Sequence, residues 1–397
     1  MSRNTKSTRK QRKIFSKHKP DKIILYFAII MALFGAIMIF DASVYQATTL
    51  FNDQFYFFKQ QLVWLVVGSV PAIIIYLWDY KKFLKLSFPA LIITIGLLVA
   101  VLIFGEEING ARRWLSIGPI DIQPAEFAKI VLIMYLSSWL SKKDYIYKNM
   151  KAAIEEGFLK ELASFLSILG IIAILIVLQP DLGTTIIICV TSFTMFLMAG
   201  ESKAHTLGSL SIILLTVPIA ILAAILEPYR LKRVQTFLTL LLTGEVGDVR
   251  GSGYQMQQIL IGIGSGGFLG KGFGQSRQRF GYLVENTAFT DSIFAVVLEE
   301  LGLLGGTVII LAWLLFLWRG LKVAINAPDK QGRLLASGIT IWLVLQALMN
   351  MAANVGLIPL TGIPNPFLSY GGSSAIVTLL GIAILLNVSK YSTNNGR

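Results

Sequence analysis

The stretch ENTAFTDSIFAVVLEELG, residues 285–302, joins a polar, acidic lead-in to an apolar segment, with Asp291 at the junction. The chain is 55% hydrophobic and only 14% charged, so a carboxylate at this place is unusual. Burial, a helix dipole and neighbouring charges can tune its pKa, which makes Asp291 a candidate general base. Alternatively, Thr290 or Asp291 caps the helix by accepting a first-turn N–H group. The two roles are compatible, and both stay open.

Three further carboxylates lie in the same stretch. Glu285 is expected on a solvated loop. Glu299 and Glu300 lie two turns or more along the predicted helix, so they should face the bundle or a cavity rather than lipid. Pairing with a basic neighbour is the commonest fate of such residues, which makes them weaker candidates for chemistry than Asp291.

Basic residues on the same predicted side could hold an anionic group. Lys129 falls near the end of a predicted membrane helix, where an unpaired ammonium is costly. It could pair with Glu126, three residues away on one helix face, or with Asp181; alternatively it holds a phosphate or orients a carboxylate. Forked donors suited to a pyrophosphate are offered by Arg112, Arg113, Arg230 and Arg233. Ordinary loop arginines would look the same.

Several common kinds of site are excluded or disfavoured. GIGSGG, which begins at Gly262, satisfies G-x-G-x-x-G, but its flanks do not predict the βαβ unit that dinucleotide binding needs. Cys189 is the single cysteine, so neither a disulfide framework nor a cysteine metal cluster is expected. The two histidines, His18 and His205, are predicted on the cytoplasmic side, which excludes a Ser–His–Asp arrangement on the outer side.

The elements that position these residues are membrane helices. Mean hydropathy is +0.68, and uncharged runs recur at the ~17–25 residues that cross a bilayer. They predict an all-α, polytopic helical bundle of about ten spans, because unpaired backbone groups cannot face lipid. The predicted spans are Ile23–Phe40, Leu62–Trp78, Leu86–Gly105, Ile130–Leu140, Leu162–Leu178, Leu182–Gly200, Thr206–Leu226, Leu301–Trp318, Leu334–Val355 and Ser374–Val388. The fourth is short, and nine spans plus a re-entrant segment are the alternative.

Basic residues set the orientation. With alternating loops, 24 of the 35 Lys and Arg residues fall on one side, which predicts that both termini are cytoplasmic. The net charge of +13 therefore mostly reflects topology. Because the first apolar stretch is long and has no small-residue cleavage site, we expect a membrane span there rather than a removed signal peptide. A basic tail, residues 1–22, is expected to contact anionic lipid headgroups rather than nucleic acid. It precedes a single membrane domain, 23–388, and a cytoplasmic tail, 389–397.

Three irregular, polar segments fall together on the outer side. They are residues 106–127, the large loop 227–290 between spans 7 and 8, and 354–374. Loops of such length usually serve function. The prolines and glycines of the third segment require burial against protein or access to water. Composition alone leaves a transporter and an enzyme acting on a lipid-linked substrate as alternatives.

Six motifs in a fixed order resemble the SEDS family of shape, elongation, division and sporulation proteins. They are NGARRWLSIGPIDIQPAEFAK, QPDLGTT, YRLKR, GYQMQQ with GSGGFLGKGFGQS, TDSIFAVVLEELG and PLTGIPNPFLSYGGSS. The resemblance extends from the first span to the last. The basic tail and QSRQRFGYL are more similar to the division branch, FtsW, than to RodA.

The resemblance implies an inverting peptidoglycan glycosyltransferase that polymerises lipid II and releases undecaprenyl pyrophosphate. It places the catalytic aspartate at Asp291. The substrate-binding residues that it implies are Arg113, Gln123, Glu126, Lys129, Arg230, Arg233, Gln255, Gln258, Ser369 and Ser373. Ser292 replaces the family's usual Phe, and LVE replaces L-P-E with two extra residues before the aspartate. This altered spacing puts any role of Glu285 in doubt.

The family also implies partners and a place in the cell. We expect lipid II as substrate, a class B penicillin-binding transpeptidase and other division proteins as partners, and the cytoplasmic membrane at the division septum as location. No cofactor is required by these motifs, although Asp291 and Glu285 could ligate Mg²⁺ or Mn²⁺. A lipid II flippase and a non-catalytic division scaffold are the alternative functions.

Overall fold

The chain folds into a bundle of long apolar helices. The computed structural model describes residues 19–108, 111–118, 120–143, 148–155, 157–200, 202–211, 228–248, 253–280 and 287–392. The helices within these ranges are α1 Lys22–Phe51, α2 Tyr56–Leu77, α3 Tyr80–Leu84, α4 Ser87–Phe104, α5 Pro124–Leu140, α6 Met150–Glu155, α7 Phe158–Val177, α8 Leu182–Ala199, α9 Pro228–Thr243, α10 Tyr254–Gly266, α11 Ile293–Ile325, α12 Lys330–Asn354 and α13 Gly372–Ser389. The chain also forms short 3-10 helices at Gln278–Phe280 and Thr287–Phe289.

The predicted helical membrane bundle is confirmed. Eight helices of the described part are long and apolar enough to cross a membrane. The short fourth span corresponds to α5, which has 17 residues. Most of the predicted span Thr206–Leu226 lies outside the described residues. The total of ten spans therefore stays a prediction.

A small sheet interrupts the otherwise helical chain. Strands β1 Glu106–Ile108, β2 Ala111–Ile117 and β3 Ile120–Ile122 form an antiparallel meander in the order β1-β2-β3. Ile108 pairs with Ala111 across the two-residue connection, whose sequence Asn-Gly favours a tight hairpin. The segment 106–127, predicted as an irregular loop, is therefore a hairpin structure that leads into α5.

Helices α12 and α13 are the most enclosed of the spans, whereas α2 is peripheral. On α2 the exposed side chains Val63, Val66, Val70, Ile73 and Leu77 recur at helical spacing. Such an exposed apolar stripe is suited to lipid, since no aqueous surface would favour it. The opposite side of α2 packs against α13.

The glycine-rich residues 267–272, which follow α10, supply hydrogen-bond partners at a break in α11. Gly302 has φ 68°, ψ −170°, which interrupts the helix two turns from its start. The chain after α10 supplies the missing partners: Lys271 N–H donates to the Glu299 carbonyl, 3.0 Å, and Leu303 N–H donates to the Gly267 carbonyl, 3.0 Å. A Cβ on Gly302 would lie 2.3 Å from Gly270 N. Residues 267–272 therefore have a structural role at the break in α11.

The described part of 227–290, the predicted large loop between spans 7 and 8, contains helices. Its place between those spans stays a prediction. Helices α9 and α10 lie within this segment, and α10 packs against α11. The turn pattern and the glycines obscured both helices in the sequence. The 13-residue α10 is stabilised by its packing on α11.

Candidate active site

Asp291 lies immediately before α11, with its peptide held by the end of α12. The Asn350 and Asn354 side-chain amides both donate to the Asp291 carbonyl, at 2.7 and 2.9 Å. The N-cap residue of α11 is Ser292, and it makes no side-chain capping bond. Neither Thr290 nor Asp291 occupies the cap position, so the capping alternative is not what the structure shows.

The Asp291 carboxylate is half-buried in a polar setting with few donors. Thr290 Oγ1 donates to Oδ1 at 3.1 Å. Oδ2 faces Gly362, where a Cβ would lie 3.9 Å away, and Gly362 has φ +69°, which favours glycine. Burial raises the pKa of Asp291 above its usual value, while Thr290 and the positive charge of Arg233 act in the opposite direction. The site therefore holds a carboxylate that is a stronger base than an exposed aspartate.

The segment 361–371 forms one wall of this site. Ser369 Oγ donates to the Thr290 carbonyl at 2.5 Å and accepts from Asn365 N–H at 2.7 Å. Tyr370 N–H donates to the Phe289 carbonyl at 2.8 Å. The predicted residue Ser369 therefore fixes the backbone next to Asp291, and its hydroxyl is already engaged.

Lys129 and Glu126 form a buried ion pair, as their spacing predicted. Lys129 Nζ lies 2.6 Å from Glu126 Oε1, and the two side chains are 1% and 2% exposed. The ammonium also donates to Gln346 Oε1 at 2.8 Å, and Gln346 Nε2 donates to the Pro364 carbonyl at 2.9 Å. The pair thus supports the wall segment 361–371 through Gln346 of α12. Among the described residues, no contact joins the pair to Asp181.

Arg113, Gln123 and Ser373 belong to a second group of contacts. Arg113 donates to the Gln179 carbonyl at 3.0 Å and to that of Pro180, so its guanidinium clamps the turn before α8. Ser373 Oγ accepts from Gln123 N–H at 3.0 Å. Among the described residues, no contact joins Arg113 to Asp291. Arg113 and Gln123 therefore organise the hairpin side of the site.

The remaining predicted residues have mixed outcomes. Gln255 Nε2 lies 3.4 Å from Ser292 Oγ, which brings α10 to the start of α11. The Gln258 carbonyl accepts from Gln278 Nε2 at 2.9 Å. The side chain of Arg230 and all of Glu285 lie outside the described residues.

A polar ladder on α12 was missed in the sequence. Trp342, Gln346, Asn350 and Asn354 recur every four residues, so they share one helix face. Gln346, Asn350 and Asn354 are each no more than 2% exposed. Asn350 also donates to the Ile363 carbonyl at 2.9 Å. The sequence could have predicted this ladder, because three amides at this spacing within an apolar span require hydrogen-bond partners inside the bundle.

Glu299 and Glu300 face the interior, as predicted. Glu299 pairs with Lys271 at 2.7 Å and accepts from Ser276 Oγ at 2.6 Å. Glu300 accepts from Ser276 N–H at 2.9 Å, and its neighbour on α1 is the carboxyl of Asp41. Among the described residues, Glu300 therefore lacks the basic partner that was expected. Its neighbours are a second carboxyl group, that of Asp41, and the backbone N–H of Ser276.

No group of three ligating side chains that could hold a metal ion occurs within the part of the chain that the structure describes. The proposed second ligand, Glu285, lies outside those residues. Asp291 alone is a poor site for Mg²⁺ or Mn²⁺, which need several oxygen ligands.

The sequence is similar to a known protein family along nearly its whole length. The family model for FtsW, RodA and SpoVE, described as cell cycle protein, matches residues 21–394. Stage V sporulation protein E of Bacillus subtilis is 39% identical over 378 residues, covering 95% of this chain and 98% of the relative. A probable peptidoglycan glycosyltransferase FtsW of Trichlorobacter lovleyi is 36% identical over 380 residues, covering 95% of each chain.

Solved structures show the same architecture. A chain of a peptidoglycan synthase complex, described as coordinating polymerization and crosslinking, superposes with a TM-score of 0.73 and 26% identity, covering 93% of this chain and 97% of that chain. The rod shape determining protein RodA of Thermus thermophilus superposes with a TM-score of 0.65 and 23% identity, covering 95% of this chain and 98% of the other. At that identity, the likeness to RodA supports the fold alone.

Proposed function

Because this chain belongs to the FtsW, RodA and SpoVE family, we propose that it is a peptidoglycan glycosyltransferase of the membrane that polymerises lipid II. One observation carries the chemical part of the proposal. The half-buried Asp291 carboxylate stands at the mouth of α11, with its peptide fixed by two amides and its acidity lowered by burial. These are the properties of a positioned general base.

In the proposed reaction, Asp291 accepts the proton of the acceptor sugar's 4-hydroxyl. That oxygen attacks C1 of the donor MurNAc from the face opposite its diphosphate, the C1–O bond breaks, and undecaprenyl pyrophosphate leaves with the electron pair. The anomeric configuration inverts, and Asp291 then returns its proton to water. A base in this position contributes ~10²–10⁴-fold to the rate.

Among the described residues, Arg233 is a cation placed to stabilise the departing diphosphate. Its positive charge acts on Asp291, and its guanidinium is oriented by a 2.7 Å bond from Nη1 to the Leu360 carbonyl. Arg113 and Lys129 are engaged with carbonyls and with Glu126. We assign to Arg113 and Lys129 the support of the site. Because the charge of Arg233 acts on Asp291, we assign to Arg233 contact with the substrate, with Arg230 as a second candidate.

We further propose a setting for this reaction. The eight apolar helices fit a multi-pass membrane protein. The distribution of basic residues supports cytoplasmic termini and an outward-facing site. A class B penicillin-binding transpeptidase would cross-link the strands, and the resemblance to the division branch favours the septum.

The test is polymerisation of labelled lipid II by the purified protein with its transpeptidase partner. We expect glycan chains from the wild type and at least a 100-fold lower rate from Asp291→Asn. Asp53→Asn is the matched control, since it makes the same chemical change at an exposed ion pair with Lys59. It should polymerise normally.

Three outcomes would contradict the proposal. Polymer from Asp291→Asn at the wild-type rate would exclude this residue as the base. Transfer of lipid II across vesicles with no polymerisation by any variant would favour the flippase. Partner recruitment that survives Asp291→Asn, again without polymer from the wild type, would favour the scaffold.

A further inference from the structure

The end of α11 remote from Asp291 carries a second concave, charged surface. The piece of α11 beyond the break, residues 303–325, is by itself about 35 Å long, so the two ends of α11 are far apart. At the far end, a cavity of about 220 Å³ opens between the start of α1, the end of α11 and the end of α13. This cavity is separate from the proposed active site.

The cavity has an excess of positive charge. Lys19, Lys22, Arg319 and Lys322 line it, against the single carboxylate of Asp21. Asp21 is fully engaged, because Oδ2 accepts from Arg319 while Oδ1 accepts from the N–H groups of Ile23 and Ile24 at 3.0 and 3.2 Å. The carboxylate therefore orients Arg319 and caps α1, and cannot neutralise the lysines as well.

The three lysines make no ion pair among the residues that the structure describes. Lys322 lies over the half-exposed ring of Trp318, 5.5 Å from its centroid, and the ion-paired Arg319 lies 5.3 Å from the same centroid. Tryptophan is typical of the level of the lipid headgroups. Cations beside such a ring are placed where phosphate groups of a membrane lie.

Exposed apolar side chains extend from the cavity along the two flanking helices, α1 and α11. On α1, Ile23, Tyr26 and Ile30 are exposed, and on α11 Leu311 and Leu315 are exposed. Phe27 stacks on Phe316 with centroids 4.8 Å apart, so these two helices form one continuous surface. Acyl chains can lie on this surface while a headgroup occupies the cavity.

We propose that this cavity binds the phosphate headgroup of an anionic phospholipid. Its volume is smaller than the ~300–1,000 Å³ of a pocket for a whole drug-sized ligand. It suits a single headgroup with its chains outside. Bound lipid would join the first, eighth and last predicted spans at their common end, because all three contribute to the cavity wall.

Trp318 provides a built-in reporter for the test. The protein is placed in vesicles containing brominated phosphatidylglycerol or brominated phosphatidylcholine, and tryptophan quenching is measured for the wild type and for Trp318→Phe. The difference between them isolates Trp318. We expect at least a fivefold preference for the anionic lipid, roughly the contribution of one lysine near a charged surface.

The decisive variant is Lys19→Gln/Lys22→Gln/Lys322→Gln, which leaves the Arg319–Asp21 bond in place. It should lose the preference. The control is Lys142→Gln/Lys148→Gln/Lys151→Gln, which removes the same charge from exposed positions on the same predicted side and should keep it. Equal quenching in the two triple variants would overturn the proposal. Displacement of the anionic lipid by millimolar inorganic phosphate would assign the site to free phosphate and reject a lipid ligand.

Discussion

Asp291 and Glu299 lie about two helical turns apart at the same end of α11, yet their carboxylates have opposite surroundings. Glu299 accepts from Lys271, Ser276, Ser265 and a backbone N–H group. Asp291 accepts from Thr290, and most of its hydrogen bonds hold its peptide carbonyl instead. A saturated carboxylate stabilises the fold, whereas one fixed by its backbone and short of donors is available to take a proton.

The largest expected difference between Asp291 and Glu299 is in the effect of replacing each carboxylate by an amide. Asp291→Asn should lower polymerisation by ~10²–10⁴-fold and raise the melting temperature at neutral pH, because the buried charge is removed. Glu299→Gln should lower the melting temperature, because charge-assisted bonds are lost, and leave the rate per folded molecule within about threefold. Thermal unfolding and polymerisation of the same preparations check both. A lower melting temperature for Asp291→Asn would show that the Asp291 carboxylate stabilises the fold, as the Glu299 carboxylate does, and would contradict the difference between them.

The buried Lys129–Glu126 pair tests whether a second ion-paired carboxylate is structural. Lys129→Met should destabilise the protein by about 3–5 kcal/mol, because it leaves Glu126 charged and buried without its partner. Lys129→Met/Glu126→Leu should recover most of that free energy of unfolding. If the double variant is stable and active, the pair supports the fold. Stability without activity would place it within the substrate site, as the family resemblance implied.

The amide ladder of α12 should have an intermediate effect. Asn350→Leu removes donors to the Asp291 and Ile363 carbonyls while Asn354 still holds Asp291. We expect roughly a 10-fold decrease in rate with little change in the Michaelis constant, since misplacing a base affects the chemical step. Ser337→Ala, at a buried position nearer the start of the same helix, is the control. An unchanged rate for Asn350→Leu would show that the peptide of Asp291 is held by other contacts.

The smallest expected effect is on the pH profile. Because burial raises the pKa of Asp291, its ionised, active form is lost as the pH falls through that raised value. The acidic limb of the rate should thus lie above the range of an exposed aspartate. The free energy of unfolding should change in the opposite direction. It should rise as the pH falls, because protonation removes the penalty for the buried charge. Arg233→Gln removes an opposing charge and should move the limb further upward; a downward shift would contradict this electrostatic account.

Local signals in the sequence were enough for part of this site. The motif around Asp291 and the three-residue spacing of Glu126 and Lys129 predicted a carboxylate at the start of α11 and a buried ion pair on α5. The Asn-Gly hairpin signal and the four-residue ladder of α12 were also local, but both were overlooked. Contacts such as Lys271 with Glu299 or Arg113 with Gln179 could not be predicted, because they depend on how distant segments meet.

The break at Gly302 means that α11 is two mechanical pieces rather than one rod. The short piece before Gly302 bonds to the chain at 267–272, and the long piece beyond it exposes apolar side chains over much of its length. When a bilayer thins or thickens, helices respond by tilting, and a rigid 33-residue rod would carry its tip along. A break at this position would let the long piece tilt while Asp291 keeps its place beside the segment 361–371.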